Sequence, residues 1–434
     1  MTGETWEWEL PEDEGGGITD VHSLPFGLAA ELDNGVVALD GATGEEIWHY
    51  RRPDATVVSA SATSDGELFA LAFQQVTEES DGDEQDTREE DEPVMWAVVI
   101  LDAVTGEITN EYEIEQERKL GFDRQPVVGP PGSDFDAPAT GVHHLTDDAR
   151  LVHAIGPARV EARALDDDEV LWSNEEVFAG PVQTDADGRT YLGQVRVVGD
   201  TVLASQFYTT NEDHRFYYYD LTAIDSANGE VRWRKSWELG DIRGQDDPTF
   251  SAPSPEGGVA VWLPIEDSGV LLDLRFGEEL ASDLWADGRV LGVLADGYVT
   301  ADGPSHVYRD RSGEPVDELQ VLVEEGGSAL SASIATPEAV IGLYAVSGTG
   351  DTGSEEQAED AAVRVFSRDG GAQTASIPLD VALARGAGEA ATRLSERVAE
   401  QPRFLRAVPG AVVVLDQGQE EGGESVSRRI IGLT

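Results

Sequence analysis

The chain has 434 residues, of which 86 are acidic and 29 basic, for a formal net charge of −57. A field this negative repels nucleic-acid phosphates and anionic lipid headgroups, while 40% hydrophobic residues exclude a disordered polyanion. Cysteine is absent and lysine occurs only at Lys119 and Lys235, so disulfides, thiol chemistry, cysteinyl metal sites and most lysine-dependent phosphate loops are excluded. No apolar run reaches the length of about 18 residues that a membrane-spanning helix needs.

Met1 to Trp6 lacks the basic and apolar regions of a secretion signal. Residues 5–10 alternate, with Trp6, Trp8 and Leu10 on one face and Glu7 and Glu9 on the other, and predict a strand. Ala38-Leu39-Asp40-Gly41-Ala42-Thr43-Gly44-Glu45-Glu46-Ile47-Trp48 then reads as strand, turn, strand. The Asp40 carboxylate accepts backbone N–H groups beside Thr43, Gly44 supplies positive φ, and Trp48 offers a wide apolar face with one N–H donor. Glu67 to Phe73 and Met95 to Leu101 are β-type runs on either side of an acidic surface loop, residues 78–92. In that loop Asp81 to Glu92 imitates a calcium site, but Asp86 stands where the bend needs Gly.

The turn returns at Ile100 to Glu107 with Asp102, Thr105 and Gly106 but no Trp. His143, His144 and His153 are the clustered histidines, and adjacent residues of a strand point to opposite faces, so no metal is assigned there. Ala164-Leu165-Asp166 to Trp172 keeps both ends of the unit, with Asp166 read as the anchor of a turn two residues shorter. In Phe216-Tyr217-Tyr218-Tyr219 one alternate pair packs between sheets, and Tyr217 with Tyr219 is the candidate exposed binding patch.

Asp225 to Trp233, with Gly229, is the second full copy of the unit. Fainter copies centre on Asp273, Arg309 and Ser367. Gly348-x-Gly350-x-x-Gly353 imitates a dinucleotide fingerprint, but Asp351, Glu355 and Glu356 crowd it, and residues 348–360 read as a second acidic surface loop. A short helix is predicted over 388–400, where Ala391, Leu394 and Val398 share a face. Arg429 to Leu433 matches the strand before the Asp turn and has no partner after it. Residues 5–10 are therefore expected to pair with 428–433 as the outer strand of the last blade.

The A-x-D-x-x-T-G-x-x-x-W unit resembles the repeat of the pyrroloquinoline-quinone-like β-propellers. The resemblance implies an all-β fold in which residues 1–434 form one closed propeller of four-stranded blades girdled by tryptophan-docking motifs. Eight blades are expected, with seven as the alternative, and 434 residues over eight is about 54 each. Enzymes of that superfamily hold the quinone with a divalent cation, several of them against adjacent cysteines. Such a pair is impossible here, no cation-ligand segment is found, and Trp262 and Trp285, the candidates to face the funnel, read as packing residues, so no catalytic residue, cofactor or metal is assigned. The expectation is a non-catalytic binding scaffold engaging a protein, peptide or glycan through its loop faces, as in the outer-membrane assembly branch. A quinone- or metal-dependent oxidoreductase and a ligand-sensing ectodomain are the alternatives. The resemblance further implies a monomer, exported or at the cell surface with its signal or anchor missing from this chain; a cytoplasmic location is the alternative.

Charges this dense repel over a Debye length of roughly 10 Å at 0.1 M salt. The thermal midpoint should therefore rise from low to molar NaCl in a calorimetric scan; a flat or falling midpoint would contradict that expectation.

Overall fold

The computed structural model describes residues 5–11, 16–75, 94–116, 144–155, 158–178, 180–181, 183–184, 190–191, 195–209, 217–240, 248–254, 257–263, 268–284, 289–302, 305–320, 329–346, 360–368, 372–379, 405–416 and 428–434. Among these there is no helix. The strands form eight successive sheets, or blades, of the β-propeller class: 18–51, 55–116, 149–174, 195–240, 249–282, 289–320, 329–379, and 405–433 completed by Thr5–Glu9. Seven are four-stranded, and blade 3 has three strands among the described residues. Gln183–Thr184 and Thr190–Tyr191 make a separate two-stranded ribbon. The acidic stretch 78–92, the stretch 348–359, the helix expected over 388–400, His143, Phe216 and Trp285 lie outside the described residues. Asp360 opens a strand, Asp360–Ser367.

The residues group into two compact units. One comprises 1–28, 39–45 and 246–434, and the other 29–38 and 46–245. Within each unit the core is a series of clusters between successive blades. In the second unit Leu151, Val160 and Ala162 of blade 3 pack on Val195, Val202 and Ile224 of blade 4. In the first, Ile341, Leu343 and Val363 of blade 7 meet Leu405, Val414 and Ile431 of blade 8. Such faces are apolar because each sheet is covered on both sides, so central strands such as Gly258–Leu263 are buried throughout.

The last blade joins the two ends of the sequence. Thr5–Glu9 runs antiparallel to Arg429–Leu433, with Trp6 opposite Gly432 and Trp8 opposite Ile430, as the alternation of residues 5–10 predicts. The Trp6 indole is buried and lies across Gly432, where an added Cβ would stand 1.9 Å from the ring. Its Nε1 donates to the Gly41 carbonyl at 2.9 Å, which ties blade 8 to the turn of blade 1. Polar contacts reinforce the seam. Leu10 N donates to Arg428 O at 2.8 Å, the Arg428 guanidinium reaches the Pro11 carbonyl at 2.7 Å, and Arg406 pairs with Asp20 at 2.9 Å.

Deleting residues 1–10 removes a sheet strand and a buried indole together. The deletion should lower the unfolding midpoint and promote oligomers through the exposed edge, measured by thermal melting and light scattering. Gly432→Val should destabilise the full-length chain by displacing the same indole, whereas an unchanged midpoint in both would refute the closure.

Candidate binding surface

The residues singled out by the repeat build joints between blades. In blade 1 Asp40 N donates to Glu45 O at 2.9 Å and Gly44 N to Asp40 O at 2.8 Å. The Asp40 carboxylate accepts from Ala42 N, Thr43 N and the Thr43 hydroxyl at 2.9–3.0 Å. Asp102 and Thr105 repeat this arrangement, and the Thr105 N–H holds the Asp102 carboxyl below the usual carboxylate range. At Asp225 the chief cause of the same downward shift is Arg232, 2.8 Å away, which also bonds Asp200. Gly44, Gly106 and Gly229 have φ of 71°, 71° and 74°, inside the left-handed region that glycine tolerates.

Each of these turns receives a side chain from the preceding blade. Trp48 Nε1 donates to Ala103 O at 2.9 Å and Trp172 Nε1 to Ser226 O at 2.8 Å, the same position that Trp6 finds at Gly41. The indoles lie flat on the turn glycine: an added Cβ would come within 2.7 Å of Trp48 at Gly106 and 2.5 Å of Trp172 at Gly229. Trp233 is buried too.

Blade 3 corrects the sequence reading. Ala164 N donates to Glu169 O and Asp168 N to Ala164 O, so Ala164, not Asp166, stands where Asp40 stands in blade 1. The turn has the ordinary length, and Asp166 is an exposed residue within it. Asp168 occupies the glycine position with φ 60°, its carboxylate gripped by Arg150 at 2.6 Å and Arg163 at 3.3 Å. The docking residue changes with it. Asn110 replaces Trp, and its amide donates to Leu165 O at 3.3 Å and to Asp166 O. A Cβ at the turn and an indole above it exclude each other, so both positions depart from the repeat together.

The candidate binding residues lie on blade 4. Tyr217 sits opposite Thr209, Tyr218 opposite Tyr208, and Tyr219 opposite Phe207. Phe207 stacks on Tyr217 with centroids 5.3 Å apart and rings 15° from parallel, and Tyr208 on Tyr218 at 5.5 Å and 20°. All four are half-buried. Tyr219 does not join them. It is 1% exposed, stacked on Trp237 at 6.0 Å, so the exposed pair expected at Tyr217 and Tyr219 gives way to two stacks on opposite faces of the strand pair, Phe207 with Tyr217 and Tyr208 with Tyr218. Alternation assigns Tyr217 and Tyr219 to one face but does not say how far along the strand the cover extends.

Behind the rings lies a polar anchor. Buried Asp220 accepts from the Ser236 hydroxyl at 2.5 Å and the Tyr208 hydroxyl at 3.3 Å, and Gln206 bonds the backbone of Gly180, which packs on the Tyr208 ring. Burial, then Asp220, pushes the Tyr208 phenol up, and burial raises Tyr219 further. Both stay protonated at neutral pH. They can donate a hydrogen bond and stack, but do not serve as bases.

Elsewhere, Trp262 is packed in the core between blades 5 and 6. An open cleft of about 300 Å³ between blades 7 and 8 is lined by Thr336, Ala407, Val412 and Leu433, with Glu338 its one charged side chain. It lacks the convergent polar groups of a cofactor site. Among the described residues no three His, Asp or Glu side chains come together as metal ligands.

No protein-family model matches the chain, and no curated protein matches it in sequence. Solved structures are similar at low identity. A eukaryotic initiation factor structure is 12% identical over 84% of this chain and 78% of that one, with a TM-score of 0.42. A chain of a mitotic checkpoint complex is 10% identical over 99% and 91%, TM-score 0.37. Kluyveromyces lactis Hsv2 is 9% identical over 81% and 94%, TM-score 0.40. At this distance the likenesses identify no partner or activity.

Trp48→Ala should cost about 3–5 kcal/mol in chemical denaturation, as large aromatic truncations in cores do. Asn110→Trp should destabilise by collision with Asp168, and adding Asp168→Gly should recover part of that loss. Strict additivity of the two substitutions in a double-mutant cycle would show that they do not share a joint.

Proposed function

We propose that this protein is a non-catalytic binding scaffold that engages a protein, peptide or glycan through the aromatic end of blade 4. The observation that carries the reading is the pair of half-exposed ring stacks at one end of the sheet, Phe207 on Tyr217 and Tyr208 on Tyr218, the second anchored by the bond from Tyr208 to buried Asp220. Rigid aromatic side chains give large contact area for little loss of rotamer freedom, the usual basis of an interface anchor. The Asp, Gly and Trp residues of the repeat serve the scaffold, consistent with a place among the pyrroloquinoline-quinone-like propellers near the outer-membrane assembly branch. An exported or cell-surface setting, with a monomeric chain presenting its blade ends to a partner, fits the same reading.

A photo-crosslinking amino acid at Tyr217, expressed in the native host, should give one discrete adduct that the same amino acid at exposed Phe276 does not. Failure to crosslink above that control would remove the blade 4 assignment. Calorimetric titration of the protein with pyrroloquinoline quinone and calcium should give no saturable heat, and micromolar binding with alcohol-dependent dye reduction would overturn the non-catalytic reading.

A further inference from the structure

A second surface follows from where the exposed apolar residues fall. Large apolar side chains scattered singly over a surface are ordinary. Here Ile108, Val170, Leu171 and Val231 occupy the start of the last strand in three successive blades and are 51%, 48%, 49% and 37% exposed. Ile47 holds the neighbouring position in blade 1, and Val104, 55% exposed, stands in the turn just before Ile108. All six lie in one compact unit.

The docking joints link the turns that carry these positions from blade to blade. Trp48, next to Ile47, lies on Gly106, two residues from Ile108. Asn110 bonds the turn that leads into Val170 and Leu171. Trp172, next to Leu171, lies on Gly229, two residues from Val231. The apolar groups therefore form an arc that crosses from blade 1 to blade 4 along its turns.

Charge is interleaved with the arc. An exposed glutamate immediately precedes each apolar site, as Glu46-Ile47, Glu107-Ile108, Glu169-Val170 and Glu230-Val231. Glu107, Glu169 and Glu230 have no ion-pair partner among the described residues. Repeated acid beside repeated hydrocarbon selects the occupant. A second copy would bring another −57 charges, and an anionic membrane or nucleic acid would be repelled in the same way. A basic amphipathic polypeptide satisfies both features, its apolar side chains covering the arc while Lys or Arg meets the glutamates.

We infer that the turn arc of blades 1 to 4, built on Ile108, Val170, Leu171 and Val231 with their preceding glutamates, binds a basic amphipathic protein segment. The inference rests on the scaffold reading above and adds a second, differently placed surface to it.

Two fluorescent peptides of equal charge separate the surface from general polyanion binding, one composed of Leu and Lys in amphipathic order, the other of Ser and Lys. In about 0.15 M NaCl, where charges farther apart than roughly 8 Å are screened, the Leu/Lys peptide should bind at least about tenfold more tightly by anisotropy. Combined Ile108→Ser, Val170→Ser, Leu171→Ser and Val231→Ser should abolish that advantage, with the thermal midpoint checked for folding. Phe276→Ser with Val316→Ser, two exposed apolar sites in the other unit, should leave it intact. Equal affinity for the two peptides, or equal loss in both variant sets, would overturn the arc as a binding site. Loss of Leu/Lys binding in Phe207→Ala with Tyr217→Ala, but not in the arc variant, would overturn the arc and leave the scaffold reading standing. Conversely, arc-dependent binding without a Tyr217 adduct would support the arc and remove only the blade 4 assignment.

Discussion

The contact on which the architecture depends is an indole lying flat on a turn glycine with its N–H aimed at the carbonyl of a neighbouring residue. It appears at Trp6 over Gly44 with Gly41 O, at Trp48 over Gly106 with Ala103 O, and at Trp172 over Gly229 with Ser226 O. One residue thus answers two demands. The turn needs positive φ, and the ring needs the space a Cβ would fill. The hydrogen bond fixes the height of the ring, and the close approach fixes its tilt, so the pair sets the spacing of the two blades it joins. Blade 3 shows the coupling from the other side, because Asp168 in place of glycine coincides with Asn110 in place of the indole.

The electrostatics divide in the same way between inside and outside. Several arginines are committed within or between sheets: Arg150 and Arg163 to Asp168, Arg232 to Asp200 and Asp225, Arg406 to Asp20, and Arg429 to Asp416. Most of these pairs are partly exposed, so each contributes modestly to stability. Their larger effect is on the surface, where arginines engaged with the turn aspartates Asp168 and Asp225 leave the neighbouring Glu169 and Glu230 unpaired among the described residues. The exposed apolar side chains of blades 1 to 4 consequently sit in a negative field, and that field narrows the chemistry of anything that could cover them.

Much of the fold was legible because its signals are local. The Asp-to-Gly turn with Trp eight residues after the Asp is a sequence-contiguous device, so Asp40 to Trp48 and Asp225 to Trp233 could be read directly. The alternation of residues 5–10 likewise announced an edge strand with Trp6 and Trp8 inward. What escaped was non-local. Ala164 carries no carboxylate to mark the anchor, and nothing in Asp168 itself tells that Arg150, from another strand, will hold it in a left-handed conformation. The nearby Asp166 does carry a carboxylate, two residues out of register with the turn. For the aromatic run, period-two alternation separates faces but not depth, and the burial of Tyr219 is decided by Trp237 on the adjacent strand. The apolar arc is a property of four blades at once, visible only after the joints between them are known.

The seam of blade 8 has a consequence in time. Thr5 pairs with Leu433, so more than 400 residues of synthesis separate one strand of that sheet from its neighbour. At ordinary ribosomal speeds of about 5–20 residues per second, this separates the two by roughly 20–90 s. Throughout that interval Trp6 and Trp8 have no sheet to enter, while earlier blades can already be compacting. The glutamates that follow each of them, Glu7 and Glu9, then act as a temporary safeguard: they keep a tryptophan-bearing segment soluble and discourage it from pairing with the wrong edge until its own arrives.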